Sequence, residues 1–147
     1  MSDLINYFLS FCKKHSKKKI IVSISTTSFK EKIGVKSYIS YPKAMPDGVF
    51  LFHVVFTDSN SANDFIKLAK KRAFLFFIDI ENKNPLFDWK LIVNKNNDIK
   101  FIKFKPNEIT VNCIIDKIQS KMNSSVLIIG SGNIALLTCI KLKLINW

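Results

Sequence analysis

VFLFHVVFTDSNSANDFIKLAKKRAFLFFIDIE, from Val49 to Glu81, decides the fold. Two apolar runs of strand length, VFLFHVVF and AFLFFIDI, flank a segment of helical periodicity in which Phe65, Ile66, Leu68 and Ala69 make an apolar stripe. Ser59 or Ser61 is placed to cap that helix, with Asp64 three residues past Ser61 in a capping-box position. Strands that are apolar on both faces belong in a parallel sheet covered by helices. The stretch therefore reads as a βαβ unit with a right-handed crossover. The fold class expected is α/β, a mainly parallel sheet with flanking helices.

Working outward, KKIIVSIST predicts a strand over Lys19 to Thr26, rich in β-branched residues. Before it, Leu4, Ile5, Phe8, Leu9 and Cys12 fall at helical spacing, and the lysines that follow suit a helix C-terminus. Between Thr26 and Val49, VKSYISY suggests a short strand and MPDG, Met45 to Gly48, a tight turn. Downstream, NKNP breaks the pattern, and WKLIVNKNNDIKFIKFK reads as two short antiparallel strands around NKNN, with lysines guarding an edge. Pro106 opens a helix with Asn107 as its cap, whose Ile109, Cys113, Ile114, Ile118 and Met122 share a face.

The 147 residues carry 23 Lys and Arg against 11 Asp and Glu, a net charge of +12. Such an excess ordinarily points to a nucleic acid or an anionic surface. Only Arg72 is arginine, however, the residue preferred for bidentate phosphate and base-edge contacts, and this argues against nucleic acid as a partner. No apolar run approaches the roughly 18 to 20 residues of a membrane span. The lysines of the first helix follow its apolar segment, whereas an export signal carries its charge in front, so the expectation is a cytoplasmic protein with no membrane association. Cys12, Cys113 and Cys139 lack metal-ligand spacing and read as small buried hydrophobes, and no metal site is expected.

VLIIGSGNIA, Val126 to Ala135, satisfies GxGxxG with alanine in the last place. Gly130 would turn the chain out of a strand, Gly132 would leave room for a pyrophosphate, and Ala135 would let the following helix lie close on the sheet. The helix N-terminus would present its amides to the phosphates. GSGNIA after VLII resembles the opening strand-turn-helix of NAD(P)-dependent oxidoreductases, in the two-domain layout of the shikimate dehydrogenase-like and 2-hydroxyacid dehydrogenase-like groups. The resemblance covers the 23 residues from Asn123 to Ile145.

That resemblance implies an α/β substrate-type domain over 1–121 and the first βα unit of a Rossmann domain over 122–147, a truncated or N-terminal portion of such an enzyme. It further implies NAD or NADP as cofactor, bound by Gly130, Ser131, Gly132, Asn133 and Ile134. The partners it implies are a small-molecule substrate or a dinucleotide, and a homodimer is compatible with it. The acid that would hold the ribose, about 20 residues past the glycines, has no counterpart before Trp147. The NxTxPxK motif of the shikimate group is not matched by SYPKAMPDG, and no catalytic residue is assigned. The alternative is a non-enzymatic α/β binding or interaction module for a small anionic ligand. Asp58, Asp79 and Glu81, at expected strand ends, are candidates for holding a substrate hydroxyl, a metal ion or a proton. His53 reads as a buried, hydrogen-bonded histidine within an apolar strand.

Overall fold

The structure is a computed structural model that describes residues 2–27, 37–39, 42–81, 84, 87–120, 125–130 and 132–144. The elements run α1 (Ser2–Lys14), β1 (Lys19–Thr26), β2 (Ser37–Ile39), β3 (Lys43–Ala44), β4 (Val49–Phe56), α2 (Ser59–Ala69), β5 (Leu75–Asp79), α3 (Trp89–Lys95), β6 (Phe101–Phe104), α4 (Pro106–Gln119) and α5 (Asn133–Leu144). They form two units, Met1–Phe104 and Lys105–Trp147.

The first unit is an α/β sheet in the order β2-β4-β1-β5-β6, with β3 also on β4. β1 pairs in parallel with both β4 and β5, and β5 with β6, while β2 and β3 run antiparallel to β4. The mainly parallel sheet and its flanking helices are as the apolar runs imply. The strands joined by α2 are not neighbours, however, because β1 lies between them. The turn before β4 is set by Asp47 (φ 58°) and Gly48 (φ 69°), both in the left-handed region that glycine accepts most readily.

Register separates the two faces of the sheet. Ile20, Val22, Ile24, Phe52, Val54, Phe56, Phe76 and Ile78 form the core face, against which α1, α2 and α3 lay Leu4, Phe8, Cys12, Phe65, Ile66 and Ile92. Leu68, placed in the apolar stripe of α2 from its spacing, is 41% exposed, and Leu9 in α1 is 40% exposed, since each lies at the margin of its helix's apolar arc. Asp58, not Ser59 or Ser61, caps α2, its carboxylate accepting from the Ser61 amide at 2.8 Å.

The segment expected to be two antiparallel strands is a helix followed by one parallel edge strand. Asp88 accepts from the Leu91 amide at 2.9 Å and starts α3. Trp89, Ile92 and Val93, at i, i+3 and i+4, then turn toward the core, which a strand would not allow. Asn96 ends the helix, its side-chain amide donating to the Ile92 carbonyl at 2.8 Å and to Asn63 Oδ1 at 2.9 Å.

In the second unit, α4 and α5 pack through Val111, Ile115 and Leu142, with Ile118 and Ile128 against them. Asn107 does not cap α4; Lys105 holds the N-cap position and Pro106 the first turn. The buried face is also rotated from the expected one, for Ile109 is 51% exposed and Cys113 is exposed. Met122 lies outside the described residues. Among the described residues no helix is long and apolar enough to cross a membrane.

Of the cysteines expected to be buried, Cys12 is, while Cys113 and Cys139 are exposed. Burial pushes the Cys12 thiol up to about 11, with Arg72 opposing the shift. The unfolded chain then loses this proton near pH 9 while the folded chain keeps it to about 11, so folding stability falls across that interval. The expected loss is at most ~2 kcal/mol. Denaturant titrations at pH 8.5 and 11 check it: Cys12→Ala should flatten this part of the profile, and an unchanged profile would contradict it.

Candidate functional site

Residues 126–129 are not a strand. Among the described residues they pair with no other strand, and Leu127 and Ile129 are 84% and 87% exposed. A strand exists only by exchanging ladder bonds with a neighbour, and VLII has none. The strand expected to open the first βα unit of a Rossmann domain is therefore corrected to an irregular apolar segment before Gly130.

The two glycines differ in what they require of the backbone. Gly130 has φ 138°, where a side chain would be strained, and a Cβ placed there would meet only Ala135 Cβ at 3.9 Å. A Cβ placed on Gly132 would meet nothing within 4 Å, so packing does not demand glycine there. Helix α5 begins at Asn133, with the Leu136 amide donating to the Gly132 carbonyl at 3.1 Å. The amides of Asn133, Ile134 and Ala135 precede that first helical bond, and no acidic side chain lies in the first turn to compete for them. Asn133 and Ile134 are exposed. Ser131 lies outside the described residues.

A second concentration of polar groups lies at the carboxyl edge of the sheet. β1 leads to β4 on one side and β5 leads to β6 on the other, so the adjacent β1 and β5 send their onward connections in opposite directions. Such a switch point is where open α/β sheets hold ligands. Asp79 ends β5 there at 1% exposure, accepting from the Glu81 amide at 2.9 Å. Asn84 donates to the Thr27 carbonyl at 3.1 Å and to that of Thr57 at 2.9 Å, tying together the ends of β1 and β4. Asp58 is occupied as a helix cap, and the strand ends that carry Asp58 and Asp79 are not adjacent, β1 lying between them.

His53 stands beside Ser23 in the β1/β4 register. Its Nδ1 is 3.1 Å from Ser23 Oγ and its Nε2 is 3.3 Å from Ser25 Oγ, so it is hydrogen-bonded as expected, though half-buried where a buried ring was expected. In the neutral ring one nitrogen donates and the other accepts. The alternation S-I-S in β1 puts both serines on the face opposite the core, a signal readable as period two but unread without the register. The role of Asn84 had no such signal, because NKNP reads as a chain break.

Among the described residues no group of three or more His, Cys, Asp or Glu side chains could hold a metal ion. Neither a known protein family nor a curated protein matches this chain.

Proposed function

We propose that residues 130–134 are the phosphate turn of an NAD(P)-linked oxidoreductase, and that the sheet unit before them is its substrate-side domain. The observation that carries this reading is the pairing of a positive-φ Gly130 with an unobstructed Gly132 at the start of α5. Glycines at these two positions would let a pyrophosphate approach the backbone closely, with the helix dipole behind it.

The apolar surface around the turn supports the same reading. Leu127 and Ile129 before it, and Ile134, Leu136, Leu137, Ile140 and Leu144 after it, are exposed. An apolar strand-turn-helix of this kind is covered on both sides in a complete nucleotide-binding sheet. Among the described residues VLII has no ladder partner. The bound cofactor would supply hydride transfer, and the residues of this chain would position its phosphates.

The chain alone should accordingly bind NADH and NADPH weakly, with Kd in the millimolar range, about −4 kcal/mol. Gly132→Ala should remove that binding while leaving Tm unchanged, because the added methyl meets open space. Calorimetric titration of both proteins tests this. Nanomolar affinity, or binding that ignores the Gly132→Ala substitution, would contradict it.

A second reading, a binding module without catalysis, is favoured by the switch point between β1 and β5. Its polar groups, Asp79, Glu81 and Asn84, suit a ligand hydroxyl better than the small anionic ligand of that alternative. Binding of a ligand that is lost in Asp79→Asn and kept in Gly132→Ala would favour this reading over the first.

A further inference from the structure

In a parallel sheet every connection that feeds a strand arrives at the same edge, and in the first unit those connections carry the lysines. Lys17 and Lys18 precede β1 and Lys19 begins it. Lys70, Lys71 and Arg72 occupy the turn between α2 and β5, and Lys100 stands immediately before β6. All are exposed. The acids Asp58, Asp79 and Glu81 collect at the opposite, carboxyl edge. At the amino edge Asp98 pairs with Lys70 at 2.8 Å, and Asp47 sits in the turn before β4. Summed over these connections the amino edge is strongly positive, a field that draws anions to it.

Contacts join these loops into one surface. Lys18 Nζ lies 3.0 Å from the Cβ position of Gly48, and Lys19 Nζ sits 4.9 Å from the centre of the Phe74 ring. Lys70, Phe74 and Lys100 line a single concavity of about 480 Å³. Phe74 is 62% exposed even with the Lys19 ammonium over it. An aromatic ring left open among lysines serves no core, and it supplies what a solely electrostatic patch lacks, a flat surface on which a base can stack.

We propose that this amino edge binds single-stranded nucleic acid without sequence preference, phosphates on the lysines of the three connections and a base on Phe74. The scarcity of arginine argues against base-edge reading, which needs a bidentate fork, but not against phosphate neutralisation, for which lysine serves as a point charge. A concave surface with one open ring suits a flexible strand. A bilayer would need several apolar side chains projecting together.

The test is fluorescence anisotropy with labelled oligo(dT) of about 16 nucleotides, from about 50 mM salt upward, on the full chain. If five phosphates are neutralised, log K should fall against log salt with a slope of about −3.5. The triple variant Lys70→Glu, Lys71→Glu, Arg72→Glu should lose affinity on the order of a hundredfold. Phe74→Ala should lose about tenfold with the salt slope unchanged. Lys117→Glu with Lys143→Glu, in the second unit, should bind as the parent does. Absence of binding at about 50 mM salt, or no loss in the triple variant, would overturn the proposal. So would unchanged binding in Phe74→Ala, which would mark general polyanion attraction, or binding to vesicles of anionic lipid in place of the oligonucleotide.

Discussion

Replacing Phe65 by alanine is expected to cost about 3–5 kcal/mol of folding stability. The ring is fully buried and meets Phe8 at 5.3 Å and Phe56 at 5.6 Å between centroids, and it stacks on Phe52 at 6.5 Å. It thus joins α2 to both α1 and β4, and its removal leaves a cavity bordered by rings that cannot collapse without moving a helix. Urea unfolding should show a lower midpoint at unchanged slope. A loss below about 1 kcal/mol would mean that this residue does not hold the core.

The second large effect is expected at Asn96, 1% exposed at the end of α3. Its side-chain amide donates to Ile92 O and Asn63 Oδ1, and its own Oδ1 has no hydrogen-bond partner among the described residues. Asn96→Ala withdraws the donor from Asn63, itself 6% exposed, and should cost about 2 kcal/mol. Combined with Asn63→Ala, the loss should be less than additive by on the order of 1 kcal/mol. Strict additivity in the double-mutant cycle would show that the two side chains do not act as a pair.

The elements legible in the sequence are those whose signal is local. Lys19 to Thr26 and Val49 to Phe56 are strands because β-branched and aromatic residues fill them, and α2 follows from the spacing of Phe65, Ile66 and Ala69. Pairing is not local. Nothing in the quoted stretch tells that β1 inserts between β4 and β5, and that insertion creates the switch point beside Asp79.

The helix α3 is hidden for another reason. Trp89 to Val93 is too short and too apolar for periodicity to separate helix from strand, and the deciding residue, Asp88, reads as part of the preceding loop. In the second unit the start of α5 follows from the apolar run behind Gly132. The expected strand required a neighbouring strand that local sequence does not supply.

Amide chemical-shift mapping of the isotope-labelled chain asks whether the backbone at Gly130, Gly132, Asn133 and Ile134 takes up a dinucleotide pyrophosphate, as proposed. With NADPH or pyrophosphate at about 10 mM, saturable shifts should concentrate on the amides of Gly130, Gly132, Asn133 and Ile134 and be abolished in Gly132→Ala. Shifts absent from those amides while other residues respond, or no shifts at all, would contradict it.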